Sequence, residues 1–164
     1  MNWTQLLLDS MENSYKAAHH LIGLVDEDNL DWKPENGKNW MTTGQLLHHI
    51  TESCGFCCTA FLTGDWGMPE GIDMSEMSSE MMLPPAESMP SCGNLAEVRD
   101  RLTVDHQQGQ AAIETAGEKD LAHKMVSAPW DPTEKSLGIQ FLGMVEHLNS
   151  HKSQLFYYLK LQGK

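Results

Sequence analysis

His147 and His151 stand four residues apart in the run Met144-Val-Glu-His-Leu-Asn-Ser-His-Lys-Ser-Gln-Leu155. Positions i and i+4 share a helix face, so both imidazoles can address one ion while Leu148, Leu155 and Leu159 pack around them. Neutral imidazole is the commonest ligand for divalent transition metals, which makes this spacing half of a metal site. Eight histidines in 164 residues produce such a pair by chance often enough that a further ligand from elsewhere is required.

The segment Gly44-Gln-Leu-Leu-His-His-Ile50 offers one. His48 and His49 are rotated by about 100° from each other around a helix, so only one of them should face a shared site. His49 falls beside Leu46 and Phe56 on the apolar face, with His48 as the alternative ligand. Three imidazoles from two facing helices make an open site, since three protein ligands leave at least one position for water or substrate. Such a set suits a divalent ion, zinc or nickel first, with iron, cobalt or manganese as alternatives. An acid–base group should lie close by. Glu52, one turn after His49, is the candidate catalytic carboxylate, and Glu146, beside His147, is the other acid near in sequence; either could instead orient an imidazole. His19, His20, His106 and His123 read as structural or exposed, although His106, four residues after Leu102, could approach the interior. Cys54, Cys57, Cys58 and Cys92 read as reduced thiols, because Cys54-Gly-Phe-Cys57 lies within a helical pattern rather than after a strand.

Four segments with helical periodicity must position these groups, and none alternates as a strand would. The first covers about 2–24, with Trp3, Leu6, Leu7, Met11, Tyr15, Ala18 and Leu21 near one face. The second starts at a Thr42 or Thr43 cap and runs to about 62, with Leu46, Leu47, Ile50, Phe56 and Phe61 as apolar positions. The third starts at Asn94 and runs to about 116, and the fourth covers about 137–162. Between them lie turn-rich stretches around Trp32-Lys-Pro34 and Glu35-Asn-Gly37, a long connection over 63–91, and a loop with Pro129-Trp-Asp-Pro132. The connection contains Met68, Met74, Met77, Met81 and Met82, which could line an adaptable apolar surface. The expected fold is all-α, a four-helix bundle with long inter-helix connections in a single domain over 1–164.

A formal charge of -12 and only 11 Lys and Arg residues argue against nucleic acid or an anionic membrane as partner. The sequence contains no apolar run of the roughly 20 residues that span a bilayer, and Met-Asn-Trp-Thr-Gln lacks the plan of a secretion signal. The expected compartment is cytoplasmic.

The stretch Leu30-Asp-Trp-Lys-Pro34 with Asn39-Trp-Met-Thr-Thr-Gly44-Gln-Leu-Leu-His-His-Ile50 resembles the first half of the DinB/YfiT-like metalloenzymes of the DinB superfamily. The ending His147-Leu-Asn-Ser-His151-Lys-Ser-Gln-Leu155, then Tyr157-Tyr-Leu-Lys-Leu161, resembles the last helix of that family. The resemblance implies a four-helix bundle, commonly a homodimer, with a divalent metal held by His49, His147 and His151. Where relatives often have His-Arg-Gly-Gln, this chain has His151-Lys-Ser-Gln154, which removes a planar guanidinium. By the same resemblance, the activity expected is transfer of a low-molecular-weight thiol or hydrolysis of a small molecule. A non-catalytic stress-response protein braced by its metal is the alternative, and a Cys-based redox protein a third.

Overall fold

Helices start where a side chain accepts amide protons that a first turn leaves unpaired. In the computed structural model, which describes residues 2–67 and 84–164, Asn2 does this for Gln5 at the head of helix α1, Trp3–Ile22. Thr42 and Gln45 form a reciprocal capping box at the head of α2, Thr43–Ile50: the Gln45 amide donates to Thr42 Oγ1 over 3.2 Å, and the Thr42 amide to Gln45 Oε1 over 2.8 Å. Asn94 caps the helix that follows the long connection. Among the described residues the remaining α-helices are α3, Gly55–Thr63, α4, Leu95–His123, and α5, Leu137–Leu161, with strands β1, Met125–Ala128, and β2, Asp131–Ser136, between the last two. The chain is thus mostly helical, with one small antiparallel sheet.

Two expectations need correction. The segment expected to form one helix from Thr42 to about 62 is broken at Thr51–Cys54. Thr51 and Ser53 are buried, so their hydroxyls need partners, and they take carbonyls of the preceding turn: Thr51 Oγ1 donates to His48 over 2.7 Å and Ser53 Oγ to Ile50 over 3.0 Å. The break also turns Phe56 outward, 42% exposed rather than part of the apolar face. The second correction is the hairpin, which replaces the expected loop: Met125 pairs with Ser136, Val126 with Lys135 and Ala128 with Asp131. Pro132 is tolerated in β2 because a two-stranded sheet consists of edges. Trp130, at its turn, packs edge-on against Trp66 at 5.3 Å and Phe61 at 6.2 Å, which pins the hairpin to the end of α3.

The core lies where α1 packs on α4 and α5, and α3 on α4 and α5, with α2 against α5. Leu7, Met11, Tyr15, Leu46, Leu47, Ile50, Leu102, Phe141, Leu148 and Leu155 are fully buried there. Helix α4 kinks at Gly117, whose φ of 64° only glycine adopts readily, and it resumes to His123 rather than ending near 116. The start of α2 is held by the chain before and after it, through Thr43 N to Trp32 O, Gly44 N to Leu30 O, and Cys92 N to Gly44 O. Gln45 extends the clamp by donating to the Ala86 and Met89 carbonyls. These contacts fix the height at which the last turn of α2 meets α5. The methionines from 68 to 82 lie outside the described residues. Among those described, no helix is long and apolar enough to cross a membrane.

Candidate metal centre

His49 occupies the last turn of α2, and His147 and His151 face it from adjacent turns of α5. Their Nε2 atoms converge: His49 to His147 3.4 Å, His49 to His151 3.1 Å, and His147 to His151 3.0 Å. The rings stand nearly perpendicular to one another, with interplanar angles of 76°, 88° and 78°, so no pair is stacked. All three are half-buried. The buried Leu148 and Leu155 flank the α5 pair, as the periodicity predicts.

The donor set fits a divalent ion. Ligands about 2.0–2.1 Å from a tetrahedral ion lie about 3.3 Å from one another, and somewhat closer in octahedral geometry, so the three separations bracket what one ion needs. Nδ1 of His147 points at the Ser53 carbonyl over 3.2 Å, and Nδ1 of His151 at Gln154 Oε1 over 3.2 Å. Each acceptor fixes the proton on Nδ1 and leaves the Nε2 lone pair for the centre. Burial, and then the neighbouring His151, His147 and His48 rings, push His49 down to about 4. Burial and then His147 lower His151 as well, partly offset by Gln154. These two rings are therefore neutral, the form a metal requires, at neutral pH.

The structure brings together the three histidines that the sequence singles out, and it places the other candidates elsewhere. His48 faces away from the centre, near Arg101 at 3.1 Å and Glu52 at 3.6 Å. The Glu52 carboxylate is ion-paired with the Arg101 guanidinium and half-exposed. His106 stacks on Tyr15 at 4.3 Å and approaches Glu12, within the packing of α1 and α4. The four cysteines are free. Burial pushes Cys57 up to about 12 and Cys92 up to about 11, while a hydrogen bond of the protonated Cys58 thiol with Cys54, followed by burial, raises Cys58, so none of these three is poised as a thiolate. Gln154 and the Ser53 carbonyl are contributors that ligand spacing does not reveal. Gln154 follows His151 by three residues and could have been found as an i+3 partner; a backbone carbonyl leaves no sequence signal.

Next to Gln154, the partner of His151, lies an open groove of about 820 Å³, between the 32–40 loop and α5. Trp32, Trp40, Tyr157, Tyr158 and Gln154 contribute to its walls. Tyr158 is a buried wall whose hydroxyl donates to the Met41 carbonyl over 2.9 Å, with Trp32 and Trp40 edge-on to its ring. Gln154 belongs to both features, so the groove adjoins the histidine cluster through a residue that orients His151.

A search among curated proteins finds no matching relative. A family model of the DinB superfamily matches residues 10–155, a span that contains all three converging histidines. With that span covering most of its length, the chain belongs to the DinB superfamily.

Proposed function

We propose that the protein is a metal-dependent enzyme that uses His49, His147 and His151 to hold one divalent ion and acts on a small molecule. The observation that carries this reading is the convergence of three Nε2 atoms from two helices within 3.0–3.4 Å. We read the helix packing as a four-helix bundle whose second member is broken into α2 and α3, an arrangement that commonly places ligands on facing helices. A divalent ion there supplies Lewis acidity that makes a water or a thiol nucleophilic at neutral pH. The protein's own part is to present three imidazole Nε2 atoms, with no fourth ligand beside them among the described residues.

The groove between the 32–40 loop and α5 has the size and apolar character of a small-molecule site, and it would seat the body of a substrate beside His151. Thiol transfer and hydrolysis both fit these parts. Glu52 is the proton-transfer group in this reading, and that role requires its carboxylate to leave the Arg101 pair. A homodimer is proposed in addition, on the family resemblance.

Metal content of the purified protein tests the proposal. Wild type should retain about one ion per chain, and His49→Ala, His147→Ala and His151→Ala should each lose at least 90% of it while keeping the helical circular dichroism, on the order of the cost of removing one of three ligands. Glu52→Gln should keep the ion and lose turnover. Stoichiometric metal in all three histidine variants would remove the site. Cobalt in the wild-type site should respond spectrally to added thiol or azide; a silent spectrum leaves a bracing metal without chemistry.

A further inference from the structure

The break between α2 and α3 sets one peptide group, Ser53–Cys54, between groups brought by two other helices. On one side the Ser53 carbonyl receives Nδ1 of His147 over 3.2 Å. On the other, Cys54 is the residue that opens α3, whose first turn faces the carboxylate of Asp105 from α4. Asp105 Oδ1 accepts from the Phe56 amide over 2.8 Å; burial pushes its carboxyl above the usual range, and the Tyr15 hydroxyl with the Phe56, Gly55 and Cys54 amides pulls it back towards the charged form. Its other oxygen accepts from the Tyr15 hydroxyl over 2.5 Å. Asp105, Cys54 and Ser53 are all at least 98% buried.

A carboxylate in that position has an ordinary explanation as a cap supplied from another helix, satisfying the unpaired amides of α3 and its positive end. The geometry does more than that. An anion placed on the N–H side of a peptide group draws more negative charge onto its oxygen, and here that oxygen is the one facing His147. We propose that Asp105 is a positioning residue for the metal centre, acting on His147 through the Ser53–Cys54 peptide. It holds the His147 proton on Nδ1, fixes the ring's direction and makes Nε2 a stronger ligand. A carboxylate bonded directly to a ligating histidine does the same in many metal sites; here a backbone amide stands between the two. Close contact enforces the link, because a Cβ on Gly55 would lie 1.7 Å from the Asp105 carbonyl oxygen, so α3 and α4 meet backbone to backbone at this point.

This inference rests on the reading of His147 as a ligand, and its test separates the two. Wild type, Asp105→Asn and Tyr15→Phe are compared by the nitrogen resonances of the His147 ring in metal-free protein and by zinc and cobalt affinity in competition with a chelator. Asparagine keeps the shape and removes the charge. The expected result is a changed His147 Nδ1 signal in metal-free Asp105→Asn, metal affinity lower by roughly 10- to 100-fold, and a shifted cobalt spectrum. In a His147→Ala background the same substitution should alter affinity less than about twofold. Tyr15→Phe removes a competing donor from the carboxylate, so it should move the ring signal in the opposite direction even if Asp105→Asn fails to fold. An unmoved His147 signal in a folded variant, or an equal loss of affinity with and without His147, overturns the proposal. Wild type that binds no metal would overturn the proposed function, while the ring signal would still decide the role of Asp105.

Discussion

In the histidine cluster His49 is held well below its ordinary value, and that low value fixes how the site should respond to acid. Its ordinary value is near 6.5, and in the folded chain it is held at about 4, chiefly by burial. The unfolded state therefore takes up a proton that the folded state refuses as pH falls below about 6.5. Stability of the metal-free protein should be fully present above that pH and decline as pH falls from about 6.5 towards 4, with His151 adding in the same direction. The ring is partly exposed, so after allowance for solvent screening the loss at pH 5 is about 1 kcal/mol. Thermal unfolding of chelator-treated protein at pH 7.5 and pH 5 measures it, and His49→Gln should flatten most of the difference. A profile already flat in wild type would show that the ring is not buried as described. At this scale the sequence was informative for the convergence of the three histidines, because i and i+4 spacing and helix phase are local. It was uninformative for Ser53, whose contribution is a carbonyl, and for Asp105, which reads as one acid among 23.

The element that the sequence concealed is the break between α2 and α3. Residues 43–62 carry enough apolar positions for one continuous helix, and nothing local demands interruption. What interrupts it is tertiary: two buried hydroxyls turned onto preceding carbonyls, and a carboxylate on α4 that accepts the Phe56 amide of the next helix. Caps were more legible, since Thr42 with Gln45, and Asn94, act within three residues of themselves. The hairpin was hidden by its prolines and by the absence of alternating burial in β2. Because the break depends on close approach, glycine is decisive at one position and idle at another. Gly55→Ala would drive its Cβ into the α4 backbone, and overpacking of this kind costs about 3 kcal/mol, a fall of about 10 °C in melting temperature for a chain of this size. Gly143, on α5, has nothing within 4 Å of a Cβ, so Gly143→Ala should be neutral or stabilise by up to about 1 kcal/mol. Calorimetry of the pair compares them, and equal melting temperatures would contradict the α3–α4 contact.

Across the whole molecule, charge and exposed apolar surface act in opposite directions. A net charge of -12 keeps copies apart at low salt, whereas Phe156, Tyr157 and Leu161 leave apolar area exposed on the last turns of α5. If the protein pairs with itself, light scattering at micromolar concentration should give twice the 18.4 kDa chain mass, more firmly in 0.3 M salt than in 0.02 M as repulsion is screened. A mass of one chain at both salts would count against a homodimer. The family match extends over the region from residue 10 to 155, so the positions that carry the centre were readable as a pattern while the packing that supports them was not.

His49 and His147 are 98 positions apart in the chain, and α3, α4 and the hairpin all lie between them. An ion grasped from both sides would close most of the polypeptide into a ring. In a chain still holding its ion after the helices had come apart, a loop of that length would forfeit about 4–5 kcal/mol of conformational freedom, as a disulfide at the same place would. The centre would then act as a reversible cross-link whose strength follows metal supply and acidity, and recovery of the fold after denaturation would start from a chain whose distant parts had never separated.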